Sequence, residues 1–280
     1  MESIRDILQA VLRRDQNSAP SGENSAPTFS NPPQETDPEC PTCGGAGWLR
    51  HDSEPGHAEF GRAYPCECTL AVEDARRRDR LVAWAGITEP EAAQTFSALQ
   101  ESPRWTPVQR RAWRAALADA RAMAEGRAQL PWLVMMGPPG GGKSHLALAV
   151  INWRIAHREA GQPGRYVVAP DYLNDLKARM GQSRGDGEQD AVSEVRQRYQ
   201  DCPLLVLDDL GVEHMTGWAL DEIYTLVNSR YRAARETIVS SNAAPGSIPS
   251  RVSSRLLDRR MAAVHILDVP DWRAMLTDVR

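Results

Sequence analysis

The sequence lacks three features that would have pointed to particular classes of protein. It has no apolar run near the roughly 18 residues that a helix needs to cross a bilayer, so we expect no membrane partner. Residues 1–14 alternate charged and apolar side chains and lack the apolar core of a signal peptide, so we expect a cytoplasmic protein. The chain is not basic overall, with a net charge of −4, so nucleic-acid binding would need a local patch.

Lysine is scarce, because Lys143 and Lys177 are the only two in the chain. A GC-rich coding sequence would explain the general preference for arginine. Lys143 is notable against this background, since arginine and lysine are not interchangeable at sites that need a compact point charge.

The composition predicts five segments. Residues 1–15 form a short amphipathic helix with Ile4, Ile7, Leu8, Val11 and Leu12 on one face, which packs on its own protein or docks on a partner. Residues 16–39 are rich in Ser, Pro, Asn and Gly and predict a disordered linker. Residues 40–70 hold four of the five cysteines, residues 71–104 form a helical linker beginning with the basic run Arg76–Arg80, and residues 105–280 form the main domain.

Strands and helices alternate from Pro131 onward. The predicted strands are Leu133–Met136, Tyr166–Ala169, Leu204–Leu207, Thr237–Ser240 and Val264–Val269. The predicted helices are Lys143–His157, 171–180, 191–200, 217–234 and 249–260, with a loop at 181–190. This alternation predicts a three-layer α/β domain in which helices cover a parallel sheet. Only about ten residues follow the last strand, so we expect no long C-terminal helical lid.

A phosphate-binding motif follows the first strand of this domain. Gly137-Pro138-Pro139-Gly140-Gly141-Gly142-Lys143-Ser144 matches G-x-x-x-x-G-K-[ST] and opens a predicted helix. Glycines let the backbone curl so that N–H groups point at phosphates, and the helix N-terminus attracts the same charge. We expect Lys143 to contact the β and γ phosphates and the Ser144 hydroxyl to bind Mg²⁺. The predicted ATP-binding set also includes His145, the next residue.

Two carboxylates follow the buried strand Leu204–Leu207. Asp208 and Asp209 therefore lie at the C-terminal edge of the sheet, where open α/β folds bind ligands. We expect Asp208 to hold Mg²⁺ through water, and Asp209 to act as a general base or to orient the attacking water.

Further polar groups follow later strands. Asn242 follows strand Thr237–Ser240 and could orient water near the γ-phosphate; otherwise it only forms a turn. Arg251, Arg255 and Arg259 share one face of the predicted helix at 249–260, which also carries Arg260. That face is either a solvated basic surface or the source of an arginine finger that reaches the ATP of a neighbouring subunit.

Taken together, these motifs resemble the DnaC/DnaI/IstB group of AAA+ ATPases. The resemblance covers roughly residues 90–273. It rests on the sequences at Gly137–Ala147, Asp208–Glu213, Trp218-Ala219, Val227–Tyr231, Thr237-Ile238, Ser241-Asn242 and Ser254–Arg259, with Thr95-Phe96 ahead of them. It implies an AAA+ domain over 105–280, with Walker A at Gly137–Ser144, Walker B at Asp208 and Asp209, sensor 1 at Asn242 and the arginine finger at Arg255. It also implies ATP-driven assembly of subunits around single-stranded DNA.

The cysteines predict a metal site. Cys40-x2-Cys43 and Cys66-x-Cys68 are separated by 22 residues, a spacing that suits tetrahedral Zn²⁺ with four thiolates. Alternatively, His51 or His57 replaces one ligand, or the thiols are free. Without metal this stretch has little to pack, so the metal would supply its folding energy. Cys202 is most simply a small buried residue.

Binding of single-stranded DNA needs cationic and aromatic side chains. The candidates are Lys177, Arg179, Arg184, Tyr172 and Tyr199; otherwise these are ordinary surface residues.

By resemblance to loaders of the DnaI kind, the zinc module would contact a hexameric replicative helicase. We therefore predict an ATP-hydrolysing helicase loader. The alternatives are an IstB-like transposition helper and a nucleotide-gated adaptor with little turnover.

Overall fold

The computed structural model describes residues 37–58, 60–157, 162–182, 187–211 and 216–271, with backbone only at 181–182 and 187–190. The predicted helix at 1–15, most of the predicted linker at 16–39, Arg184 and Glu213 lie outside the described residues. The chain divides into two compact units, one ending at Glu73 and the other beginning at Asp74. No described helix is both long and apolar enough to cross a membrane.

The first unit contains a short hairpin followed by the start of a helix. Strand β1 (Trp48–Arg50) pairs antiparallel with β2 (Ala63–Pro65), and helix α1 (Glu67–Ala85) begins directly after them. In the described part of this unit only Cys40, Gly47, Cys66 and Thr69 are buried. The unit therefore has no apolar core there, and two thiols occupy its centre.

The second unit is built on a parallel five-stranded sheet. Its strands are β3 (Trp132–Met136), β4 (Arg165–Val168), β5 (Leu204–Asp208), β6 (Glu236–Ser241) and β7 (Ala262–Ile266). They are arranged in the order β4-β5-β6-β3-β7, and every neighbouring pair is parallel. Every residue of β3 and β5 is buried, which explains why both are continuous apolar runs in the sequence.

Helices cover both faces of this sheet. They are α2 (Glu89–Ala92), α3 (Pro107–Ala124), α4 (Lys143–Ala156), α5 (Ala169–Gln182), α6 (Gly187–Asp201), α7 (Gly217–Arg232) and α8 (Ser250–Leu256). Side chains of β3 alternate between two core clusters, with Val134 facing α5 to α8 and Leu133 facing α3 and α4. This arrangement confirms the predicted three-layer α/β fold, in which helices cover both faces of a parallel sheet.

Two predicted boundaries are wrong at the C-terminal end. Helix α8 ends at Leu256 rather than at residue 260, and β7 spans Ala262–Ile266 rather than Val264–Val269. Asp258 causes the early end, because its carboxylate accepts from the Arg260 amide at 3.0 Å and its carbonyl accepts from the Met261 amide at 2.9 Å. Arg259 therefore lies outside the helix and does not share a helical face with the two arginines before it.

The predicted loop at 181–190 is also shorter than expected. Helix α5 continues to Gln182 and α6 begins at Gly187, so only 183–186 lie outside described helical backbone. Strand β4 starts and stops one residue earlier than predicted, because Ala169 already begins α5.

Candidate functional site

The phosphate loop Gly137–Ser144 connects β3 to α4 in a conformation that requires glycine. Gly137, Gly140 and Gly142 have φ of +137°, +79° and +83°. A Cβ atom on Gly137 would lie 2.4 Å from the Leu267 carbonyl oxygen, which is backbone and cannot give way. The tight curve therefore depends on both the φ values and the close approach of the segment after β7.

Lys143 is the first residue of α4 and points back into this curve. Its side chain is nearly buried, and Nζ donates to the carbonyl oxygens of Gly137 at 2.7 Å and Pro138 at 2.8 Å. The ammonium group thus lies within the loop, beside the N-terminus of α4. A phosphate entering the loop would meet this charge and the helix N-terminus together.

The carboxylate of Asp208 accepts hydrogen bonds from three hydroxyl groups. Ser144 Oγ donates to Oδ1 at 3.0 Å, Ser240 Oγ donates to the same oxygen, and Tyr166 OH donates to Oδ2 at 2.7 Å. Burial, followed by the nearby Asp208 charge, raises the pKa of Tyr166 above its ordinary value, so the phenol keeps its proton as a donor. The predicted Mg²⁺ residues Ser144 and Asp208 are therefore in direct contact.

Asp209 lies beyond the end of β5 in a left-handed conformation, with φ of 51°. Its amide donates to Ser240 Oγ at 3.0 Å, and its carboxylate accepts from Asn242 Nδ2 at 2.7 Å. Left-handed backbone at a residue other than glycine costs free energy and occurs often at functional sites. The amide of Asn242 therefore contacts the carboxylate predicted to activate water.

A cavity of about 660 Å³ lies beside the phosphate loop, Asp209 and Asn242. That volume falls within the roughly 300–1,000 Å³ typical of small-molecule sites. The cavity is lined by Pro139, Gly140, Gly141, Gly142, Lys143, Ser144, His145, Asp209, Ser240 and Asn242 at the loop, and by Gln94, Ala98, Leu99, Gln100, Trp105 and Trp113 elsewhere. The two indole rings lie 5.5 Å apart, so one part of the cavity is aromatic and the other suits an anion.

The segment before α3 is attached to α4 by hydrogen bonds. His145 Nε2 lies 3.0 Å from the Thr95 carbonyl oxygen, and Asn152 Nδ2 donates to the carbonyl oxygens of Glu91 and Gln94 at 2.9 and 2.8 Å. His145 therefore fixes the cavity wall that carries Gln94, as well as lining the cavity itself.

Arg255 lies on α8, and no residue of α8 is among the described residues that line the cavity. Its guanidinium lies 5.5 Å from the ring centre of Tyr224 and 5.9 Å from that of Tyr231, and Nε donates to Asn228 Oδ1 at 3.3 Å. Arg251 pairs with Asp221. Within one chain, Arg255 is thus positioned against α7 rather than at the cavity.

The prediction that Tyr172 and Tyr199 stack on bases is wrong. Both are buried and contact each other edge to face, with ring centres 5.3 Å apart. Lys177 and Arg179 are exposed on α5, and Lys177 Nζ lies 5.4 Å from the ring centre of Trp218. Sequence periodicity alone did not separate the inward Tyr172 from the outward Lys177 and Arg179 on α5.

The four cysteines of the first unit converge. Their sulfur atoms all lie within 4.8 Å of one another, with Cys40 and Cys66 at 3.9 Å and Cys43 and Cys68 at 3.5 Å. Zn–S bonds of about 2.3 Å in a tetrahedron place sulfur atoms about 3.8 Å apart, so the cluster fits Zn²⁺. The Gly47 amide donates to Cys43 Sγ at 3.3 Å.

The pKa values of the clustered thiols depart from their ordinary values. Backbone amides of Cys43 and Thr42 lower the pKa of the Cys40 thiol to about 6. Burial and the neighbouring thiols raise the pKa of Cys68 to about 12. Four sulfur atoms this close cannot all ionise without a cation, and a soft divalent ion would supply that charge.

The oxygen ligands of Ser144 and Asp208 suit a hard cation. Ser144 and Asp208 offer a hydroxyl and a carboxylate oxygen, which are ligands that Mg²⁺ prefers. The chain thus contains two chemically distinct candidate metal sites, one of thiolates and one of oxygens.

Comparison with known proteins identifies related sequences. The profile described as IstB-like ATP binding protein matches residues 118–271. The chromosomal replication initiator protein DnaA of Rippkaea orientalis is 28% identical over 180 residues, which cover 61% of this chain and 37% of that protein. An ATP-binding protein in an insertion sequence of Mycobacterium tuberculosis is 30% identical over 165 residues, covering 54% of this chain and 62% of the relative. The replicative helicase loader DnaI of Bacillus subtilis is 29% identical over 117 residues, or 41% of this chain and 34% of the loader.

Solved structures with a similar fold include a DnaC helicase loader and DnaI. The DnaC structure has 21% identity and a TM-score of 0.49, covering 64% of this chain and 99% of that one. The DnaI structure has 20% identity and a TM-score of 0.47, covering 64% and 94% respectively. The matched part of the chain spans less than two thirds of the curated relatives named above.

Proposed function

We propose that this chain, which belongs to the IstB-like ATP-binding protein family and has a helicase loader among its relatives, is an ATPase that loads a replicative helicase onto single-stranded DNA. The observation that carries the ATPase part is the convergence of Lys143, Ser144, Asp209 and Asn242 at one cavity, with Asp208 in contact with Ser144 behind it. The fold alone would not suffice, because the same architecture hosts many functions.

ATP would bind with its phosphates in the curve of Gly137–Ser144, against Lys143 and the N-terminus of α4. The aromatic part of the cavity, with Trp105 and Trp113, would accept the base. Ser144 and Asp208 would hold Mg²⁺, which when bound neutralises charge on the β and γ phosphates.

Hydrolysis would depend on Asp209, the acid closest to Asn242. Its carboxylate would accept or orient the proton of the attacking water, while Asn242 holds that carboxylate through the 2.7 Å hydrogen bond. The polar side chains at the ends of β5 and β6 would thus act as one unit.

Assembly of several copies would place Arg255 at the ATP of a neighbouring subunit. Its distance from the cavity of its own chain and its partly exposed position on α8 support this arrangement. An arginine supplied in this way stabilises charge in the transition state for phosphoryl transfer.

The four-cysteine unit would contact the replicative helicase. The fit of its sulfur atoms to Zn²⁺ supports a separate metal-stabilised module. The exposed Lys177 and Arg179 are candidates for contacts with phosphates of single-stranded DNA.

A second candidate is a transposition helper. It is favoured by the family profile and by the relative in an insertion sequence, which at 30% identity is at least as similar as the loader relative at 29%. Such a helper would use the same ATP site but would remodel DNA for a transposase.

The ATPase proposal is tested by single-turnover hydrolysis with Asp209→Asn, and Asp221→Asn on the exposed side of α7 is the matched control. We expect the rate to fall about 10²- to 10⁴-fold in Asp209→Asn only, because a positioned acid or base contributes that much. Equal rates in wild type and Asp209→Asn would overturn the catalytic role of Asp209. Binding of ATP without hydrolysis in wild type would instead indicate an adaptor.

The partner is tested by capture on immobilised Asp209→Asn protein in the presence of ATP. The replicative helicase and the transposase of the same host are applied separately in solution. A loader retains the helicase and loses it when Cys40→Ser disrupts the cysteine cluster. If only the transposase is retained, the loader proposal fails and the transposition-helper proposal takes its place.

A further inference from the structure

Asp208 is held from both neighbouring strands of the sheet. In the register of β5 and its neighbours, Asp208 lies opposite Val168 of β4 and, one position beyond the Leu207–Val239 pair, beside Ser240 of β6. Because side chains alternate along a strand, Tyr166 shares a face with Val168 and therefore with Asp208. A tyrosine is long enough to reach this diagonal neighbour.

The two side strands contact different oxygens of the carboxylate. Tyr166 OH donates to Oδ2 at 2.7 Å, whereas Ser240 Oγ donates to Oδ1. One donor on each oxygen fixes both the position and the rotation of the carboxylate plane. Ser144 also donates to Oδ1, but that hydroxyl is the expected magnesium ligand and would leave Asp208 when the ion binds.

We infer that Tyr166 is a positioning residue for the magnesium site, acting through Asp208 Oδ2 to orient the carboxylate toward the ion. This inference rests on the proposed ATP·Mg²⁺ function. Tyr166 is not among the residues that line the cavity in the described structure, so it acts on the metal only through Asp208. Groups that orient metal-binding side chains typically contribute about 10- to 100-fold in metal affinity.

The test is the magnesium dependence of Tyr166→Phe, which removes only the hydroxyl. We expect the Mg²⁺ concentration for half-maximal ATP hydrolysis to rise about 10-fold or more. Binding of a fluorescent ATP analogue in the presence of EDTA should stay the same, because the phosphate loop is intact. The analogue's affinity as a function of Mg²⁺ gives the same comparison without turnover.

Tyr172→Phe is the matched control. Tyr172 is also a buried tyrosine of this unit, but its hydroxyl has no hydrogen-bond partner among the described residues. We expect its magnesium curve to coincide with that of wild type. A purely structural effect of Tyr166→Phe would lower the melting temperature and the EDTA-resistant nucleotide binding together, and this would overturn the inference.

The outcomes separate the inference from the proposed function. If Tyr166→Phe hydrolyses ATP with the same dependence on Mg²⁺ concentration as wild type, the positioning role is overturned and the ATPase proposal stands. If wild type binds the analogue without hydrolysing ATP, the ATPase proposal fails and the affinity curves decide the role of Tyr166. If Tyr166→Phe does not fold, Tyr166→Met, which also fills the space without a hydroxyl, is judged by the same curves.

Discussion

Loss of Zn²⁺ binding by the cysteine unit should unfold that unit while leaving the second unit folded. The perturbation is Cys68→Ser in the full-length chain, which removes one of the four sulfur atoms that lie within 4.8 Å of each other. Thiolate sites of this kind derive their folded structure from the metal, because a preformed site rarely exists in the unfolded chain.

The structure indicates how large the effect should be. In the described part of the first unit the buried residues are Cys40, Gly47, Cys66 and Thr69, so apolar burial contributes little. An ordinary domain has about 0.1 kcal/mol of stability per residue, which for roughly 30 residues is about 3 kcal/mol even with a full core. Structural zinc in small modules contributes about 10–16 kcal/mol at neutral pH, so the metal should decide whether this unit folds.

The assay combines zinc content by native mass spectrometry with hydrogen exchange along the chain. We expect one Zn²⁺ per wild-type chain, none in Cys68→Ser, and loss of amide protection around β1 and β2 in the variant. Cys202→Ser is the control, because Cys202 is buried in the second unit and belongs to no cluster of candidate ligands among the described residues. Wild-type protein without zinc, or unchanged protection in Cys68→Ser, would refute the reasoning.

Three further predictions concern the second unit. Arg255→Ala should reduce ATP turnover by about 10³-fold or more at concentrations where the chain assembles, whereas Arg251→Ala on the same helix should not, as measured by steady-state hydrolysis. Asn242→Ala should lower kcat with little change in nucleotide affinity, because it removes the donor to Asp209, and a raised Kd with unchanged kcat would contradict that role. Arg230→Leu should destabilise the unit in urea unfolding, by about 1–3 kcal/mol for each buried carbonyl that loses its donor. This fully buried guanidinium donates to the carbonyl oxygens of Tyr199, Cys202 and Glu236, and an unchanged midpoint would contradict the prediction.

Much of the fold could be predicted because its signals are local. The glycine pattern at Gly137–Ser144 and the apolar run before Asp208 each identify a short segment from its own residues. Continuous apolar strands alternating with helices then require a parallel sheet with both faces covered. These features determine where the cavity lies without knowledge of any long-range contact.

The contacts that were not predicted are long-range or depend on register. Tyr166 is separated from Asp208 by 42 residues, and only the pairing of β4 with β5 brings its hydroxyl to the carboxylate. Tyr172 looked like a surface aromatic, but it lies in the core with Leu176 of its own helix and Tyr199 of α6, a packing that depends on how the two helices meet. The end of α8 was missed because the side chain of Asp258 competes with helical hydrogen bonds, an effect that periodicity does not register.

The central claim is that the loop Gly137–Ser144 binds the triphosphate of ATP with its magnesium ion. Isothermal titration calorimetry of a non-hydrolysable ATP analogue tests it most directly, with and without Mg²⁺, on wild type and Lys143→Ala. The account predicts one nucleotide bound per wild-type chain and weaker binding without Mg²⁺. It also predicts that Lys143→Ala loses binding although this variant has the melting temperature of wild type. Equal affinity in wild type and Lys143→Ala, or no heat of binding in wild type, would contradict it.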